Sequence, residues 1–190
     1  MRVKICGITM VADAVAADRA GADAIGVVLF SDSPRAVAPE KAEEIFSSLG
    51  PFTARICVSR TDDPAELDEI LALSPTAVQL YCDLPVPPGV RVIRAVSAGR
   101  LPPGRYDAVL LDRSEGTGRR YDLNEARSFV LRSPVPVLLS GGLTPDNVGE
   151  AVRAVRPYGV DVSSGVEDSP GIKNTQKMTE FIMACRSISP

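Results

Sequence analysis

Among the 190 residues there is no histidine, so the side chain that most often moves protons near neutral pH is missing. Any proton transfer falls to cysteines and carboxylates. Tryptophan is absent too, and aromatic residues make up only 5% of the chain, too few to build a base-stacking surface. With 21 Lys and Arg against 24 Asp and Glu, the formal charge is −3. Neither nucleic acid nor an acidic membrane surface would find an electrostatic hold. No apolar run approaches the roughly 18 residues of a membrane span, and the opening run reads as a strand rather than a secretion signal. The four cysteines, Cys6, Cys57, Cys82 and Cys185, lie far apart without CxxC spacing, which argues against a disulfide framework or a zinc site. The expectation is a cytoplasmic protein without metal, nucleic-acid partner or membrane, folded as a single domain over residues 1–190.

What the chain does have is repetition. Eight short apolar, β-branched runs recur: "RVKIC", "AIGVVLF", "TARICV", "AVQLY", "VRVIRAV", "DAVLLD", "PVPVLLSG" and "YGVDVSSG". Most are separated by amphipathic segments with helix-start signals. One such segment ends at Gly21, one opens on Pro39 and closes on Gly50, and one has an aspartate cap before Pro64. Another carries Thr144 and Pro145, and the last is capped by Asn174. Alternating strand and helix implies parallel βαβ units, and eight repeats imply closure into a (βα)8 TIM barrel, with an open doubly wound sheet as the alternative. The chain is short for a barrel. The stretches "CDLPVPPG" and "SAGRLPPGRY" are too short and proline-rich for helices, so the fourth and fifth crossover helices are expected to be reduced or absent.

Barrel enzymes work at the carboxyl ends of their strands, where side chains alternate inward and outward. Alternation puts Lys4 and Cys6 inside on the first strand, Leu110 and Asp112 on the sixth, and Asp161 and Ser163 on the eighth. Gln79 and Tyr81 fall on the inward set of the fourth. A lysine in a barrel interior needs a partner, so Lys4 is expected to pair with a carboxylate. Its charge would favour the thiolate of Cys6. Two loops suit an anion. Gly141 and Gly142 follow the seventh strand, and Ser163, Ser164 and Gly165 follow the eighth. Glycine lets backbone N–H groups approach a phosphate, and these two loops are the recurrent phosphate site of this fold. A small phosphorylated substrate is therefore expected.

The segments "KICGIT", "GADAIGVV", "SDSPRAV", "AVQLY", "VLLDRSEGTG", "LLSGGLTPDNV" and "GVDVSSGVEDSPGIK" together resemble phosphoribosylanthranilate isomerase of tryptophan biosynthesis, in order and over essentially the whole chain. The resemblance implies a cofactor-free Amadori rearrangement of N-(5-phosphoribosyl)anthranilate, an aminoaldose, to an aminoketose. It implies Cys6 as general base, Asp112 as general acid and Arg35, with Gln79 and Tyr81, as substrate contacts. The phosphate would be held by Gly141, Gly142, Asp161, Ser163, Ser164 and Gly165. The family permits monomers and homodimers.

Two departures stand out. The family usually reads "QLHG" after the fourth strand, whereas Tyr81 and Cys82 occupy the last two positions here. The usual "GGTG" is replaced by "SEGTG". Tyrosine can hydrogen-bond but cannot serve as a cation near neutral pH. Two other functions remain open from sequence alone: a related isomerase or lyase acting on another phosphosugar, and a phospholigand-binding barrel without catalysis.

Overall fold

The computed structural model describes residues 1–97, 101, 103–112 and 122–188. All eight apolar runs become strands: β1 (Arg2–Cys6), β2 (Ala24–Val28), β3 (Ala54–Ser59), β4 (Ala77–Leu80), β5 (Arg91–Val96), β6 (Ala108–Asp112), β7 (Val137–Ser140) and β8 (Gly159–Val162). Each pairs in parallel with the next, and β8 returns to β1 with Val3 opposite Val160. The sheet is a closed barrel, not an open doubly wound one.

The alternation along each strand sorts the core into two layers. Val3, Ile5, Val109, Leu111, Val160 and Val162 pack between sheet and helices with residues such as Phe181 and Ile182. Inside the barrel, Cys6, Ile56, Val58, Ala77, Ile93, Ala95, Leu110 and Leu138 form a second cluster.

Helices α1 (Val11–Ala20), α2 (Pro39–Ser47), α3 (Pro64–Ala72), α4 (Leu123–Arg132), α5 (Val148–Val155) and α6 (Thr175–Arg186) supply the outer wall. Their ends show the local chemistry that starts and stops them. The Asp63 carboxylate accepts from the Ala65 N–H, Asp122 from Asn124 and Glu125, and Asn174 from Lys177. Each cap is worth about 1 kcal/mol. Gly21 closes α1 in the left-handed conformation.

Two ends differ from expectation. α2 stops at Ser47, before Gly50, whose N–H is taken by Asp18. α5 begins at Val148 rather than near Thr144, because Asn147 is spent on the preceding loop. Its amide donates to the Gly142 carbonyl and accepts from the Thr144 N–H, at 2.8 Å each.

No helix lies between β4 and β5, nor among the described residues between β5 and β6. Side chains brace these crossovers instead. Arg105 donates to the carbonyls of Val86, Pro87 and Val90. Arg94, buried on β5, pairs with Asp83 at 2.9 Å. A short 3-10 turn (Ser164–Val166) and an antiparallel ribbon, β9 (Glu167–Ser169) with β10 (Ile172–Lys173), connect β8 to α6. Among the described residues no helix is long and apolar enough to cross a membrane.

Candidate active site

The carboxyl ends of the strands surround a cavity of about 440 Å³. Cys6 from β1 and Asp112 from β6 both line it. So do Arg35, Tyr81, Asp161 and the two predicted anion loops with Gly141, Gly142, Ser163, Ser164 and Gly165. Residues that strand alternation placed inward on four different strands thus share one cavity.

Its floor is ionic. The Lys4 ammonium, 2% exposed, sits 2.7 Å from Asp161 Oδ1, and Ser140 donates to Asp161 Oδ2 at 3.0 Å. Burial works against the Lys4 charge, but the Asp161 carboxylate and the neighbouring Cys6 outweigh it and hold the amine above the ordinary lysine range. Breaking such a pair leaves an uncompensated charge, which costs about 3–5 kcal/mol. Lys4→Ala is accordingly expected to lower the urea midpoint by that equivalent; an unchanged midpoint would contradict the pairing.

Cys6 shows the opposite balance. Burial pushes its thiol upward and the Lys4 ammonium offsets only part of that. The sequence argument that Lys4 favours the thiolate holds in direction, but desolvation is larger. Room for both side chains comes from β2. A Cβ on Gly26 would sit 3.0 Å from Cys6 Sγ and 3.0 Å from Lys4 Nζ, tighter than normal packing allows.

The anion loops are locked together by a close approach. A Cβ on Gly165 would lie 1.9 Å from the Leu143 carbonyl oxygen, so only glycine lets the 3-10 turn nest against the loop after β7. Consecutive positive φ angles at Gly141 and Gly142, 96° and 64°, turn that loop's backbone. If these loops anchor the ligand, Gly165→Val should raise KM at least tenfold, more than it lowers kcat. Steady-state kinetics with unchanged KM would speak against the loops as anchor.

The chain's relatives bear on what this cavity serves. Residues 3–184 match the family of N-(5'-phosphoribosyl)anthranilate (PRA) isomerase. An N-(5'-phosphoribosyl)anthranilate isomerase from Methanoregula boonei is 49% identical over 189 residues, spanning 98% of this chain and 97% of its own. The chain belongs to the N-(5'-phosphoribosyl)anthranilate isomerase family. It is thereby an isomerase of tryptophan biosynthesis. The crystal structure of the Thermus thermophilus family member superposes with a TM-score of 0.86 at 37% identity, covering 98% of this chain and 99% of that one. Another phosphoribosyl anthranilate isomerase, in complex with reduced 1-(o-carboxyphenylamino)-1-deoxyribulose 5-phosphate, gives 0.85 at 33% identity, with 99% and 100% covered.

Within this isomerase fold, one expected site residue lies off the cavity and two others line it with partners of their own. Gln79 is buried among the inward side chains and does not line the cavity, and its Oε1 meets no hydrogen-bond donor among the described residues. Alternation read its face but not its depth. Asp161 lines the cavity, yet Lys4 and Ser140 occupy its carboxylate, and its charge has the sign of phosphate. Its contacts with Lys4 and Ser140 make it part of the ionic floor. Arg35 lines the cavity with one edge of its guanidinium engaged: Nε and Nη2 donate to Glu167 Oε1 and Oε2 at 2.8 and 2.7 Å.

Other residues escaped the sequence reading. Glu167 and Lys173 face each other across the β9–β10 ribbon at 2.7 Å, and Lys173 also donates to Ser163 Oγ and its carbonyl. Hydrogen bonds from Arg35 and Lys173 hold the Glu167 carboxyl below its usual range despite burial. This network ties the loop after β2 to the loop after β8. The "SPG" turn was the only local hint of the ribbon. Arg60, just past β3, was also missed. The "SEGTG" segment, residues 114–118, lies outside the described residues. Among the described residues no three His, Cys, Asp or Glu side chains gather as metal ligands would.

Proposed function

We propose that the chain carries out the isomerisation its relatives are named for, with Cys6 as general base and Asp112 as general acid. N-(5'-phosphoribosyl)anthranilate is the substrate. One observation carries the assignment: a thiol from β1 and a carboxyl from β6 line the same cavity as the two glycine-bearing loops after β7 and β8.

Backbone N–H groups of those loops hold the 5-phosphate, which positions the sugar over the barrel mouth. Asp112 delivers a proton to the ring oxygen. The C1–O bond breaks as the anthranilate nitrogen lone pair forms the C1=N iminium. That cation makes the C2 proton acidic, and Cys6 takes it as thiolate. The electrons of the C2–H bond become the C1=C2 bond of an enolamine, neutralising the iminium nitrogen. Tautomerisation, with loss of the C2 hydroxyl proton and protonation at C1, gives the C2 ketone. No electrons enter or leave the substrate, so no cofactor is required.

Lys4 takes part at one remove. Its ammonium stands beside the sulfur and favours the thiolate, while Asp161 and Ser140 keep that ammonium in place. The iminium supplies a second positive charge when the thiolate is needed.

The test is steady-state turnover of phosphoribosylanthranilate, followed as loss of anthranilate-type fluorescence. Saturable turnover by the wild-type chain is expected. Well-folded protein that gives none overturns the reading.

A further inference from the structure

The antiparallel ribbon sets Glu167 opposite Lys173, and both side chains are buried. Glu167 Oε1 accepts from Arg35 Nε at 2.8 Å, from Lys173 Nζ at 2.7 Å and from the Gly171 N–H at 3.3 Å. Its Oε2 accepts from Arg35 Nη2 at 2.7 Å. The ribbon is itself tied down: the Thr9 hydroxyl donates to the Gly171 carbonyl at 2.6 Å, and Asp13 on α1 accepts from the Lys173 N–H at 3.1 Å. The arm of Arg35 runs across Gly7, the residue after Cys6. A Cβ there would sit 2.6 Å from Arg35 Cδ and 2.9 Å from Ser163 Oγ. Among the described residues Nη1, on the other edge of the guanidinium, has no hydrogen-bond partner.

We propose that Glu167, held by Lys173, is a positioning residue for the isomerisation: it fixes the Arg35 guanidinium by one edge before substrate arrives and leaves the other edge for substrate. This role rests on the isomerase reading above, in which Arg35 is a substrate contact. A long side chain on a loop would lose its rotamer freedom on binding and weaken it. Here that freedom is given up when the chain folds. Two parallel hydrogen bonds from one edge fix the plane of the guanidinium as well as its place, and Gly7 leaves room for the arm beside Cys6.

Lys173 explains why the clamp does not cancel the charge it holds. One carboxylate lies between two cations, so the trio keeps one net positive charge beside a cavity expected to take an anion. Lys173 also donates to the Ser163 carbonyl and Oγ at 3.2 and 3.3 Å. The same pair therefore holds Arg35 on one side and the start of the loop after β8 on the other.

Four variants test the role: Glu167→Gln, Arg35→Ala, Arg35→Lys, and Glu167→Gln combined with Arg35→Ala. Each is measured by steady-state kinetics with phosphoribosylanthranilate and by calorimetry with the reduced product analogue. Arg35→Ala should weaken analogue binding by about 10–100-fold, the scale of a charged hydrogen bond. Glu167→Gln should weaken it by about 3–10-fold, the scale of reordering one long side chain, with the loss in KM and kcat within twofold. In the Arg35→Ala background the same Glu167→Gln change should cost less than twofold, because nothing is left for it to position. A merely structural Glu167 would impose its full loss in either background. Arg35→Lys keeps the charge, but an ammonium drawn onto Glu167 has no second edge to offer, so its loss should come within threefold of Arg35→Ala. Losses that multiply in the double variant, a Glu167→Gln chain with wild-type KM, or an Arg35→Lys chain with wild-type affinity each overturn the role. If Glu167→Gln does not fold, Arg35→Lys alone decides. Wild-type turnover leaves the isomerase reading standing in all of these cases, whereas a wild-type chain that neither turns over substrate nor binds the analogue overturns both.

Discussion

Replacing Cys6 by alanine is expected to lower kcat by about 10²–10⁴-fold, the scale of a general base. Affinity for the reduced product analogue should stay within a few-fold, because the anion loops lie elsewhere on the cavity wall. The fold should tolerate the change, since Cys6 is the last residue of β1 and faces the cavity rather than the helices. A protonation measurement accompanies it. Burial raises the thiol of an acid that is neutral when protonated, so a higher pH is needed to ionise it. The thiolate ultraviolet signal that disappears in Cys6→Ala should therefore emerge above pH 9.0, the ordinary value, in the free enzyme. Near wild-type kcat in the variant would contradict the assignment of the base, and a titration step below that pH would contradict the dominance of burial over the Lys4 charge.

Asp112→Asn is expected to cost a similar factor, about 10²–10⁴ in kcat, for a different reason. The amide keeps the shape and most hydrogen bonding but cannot deliver a proton to the ring oxygen. The variant should then stall before ring opening, with the substrate still bound in its cyclic form. Rapid quenching after mixing separates this from the Cys6→Ala outcome, in which the ring can open but C2 keeps its proton. With substrate deuterated at C2, Asp112→Asn should show no primary isotope effect if opening limits the rate. A full effect in Asp112→Asn, or unaltered kcat, would move the acid elsewhere.

The strands and the inward set were legible because a half-buried strand repeats every two residues, and Lys4, Cys6, Asp112 and Asp161 followed from counting along it. The glycine loops were legible because strand order in a barrel places the seventh and eighth ends side by side. Depth was not legible. Gln79 has the same parity as Tyr81 yet is buried below the cavity, since parity gives direction and not height. Pairing across long separations was equally hidden. Arg35 meets Glu167 over 132 residues through a ribbon whose strands are three and two residues long. Such short strands leave no period to detect. Arg60 lies over the Tyr81 ring at 4.1 Å, a contact between neighbouring strand ends that no local sequence pattern marks. Asn147 looked like part of a helix start, whereas its amide spans the loop after β7 and displaces that start.

A crystal structure of this chain with the reduced product analogue bears most directly on the central claim. The phosphate should rest on backbone N–H groups of the Gly141–Gly142 and Ser164–Gly165 loops. Cys6 Sγ should lie about 3.5 Å from C2, and an Asp112 oxygen about 2.6–3.2 Å from the former ring oxygen. A phosphate held at the opposite rim, or a sugar that leaves Cys6 and Asp112 on one side of it, would contradict the account.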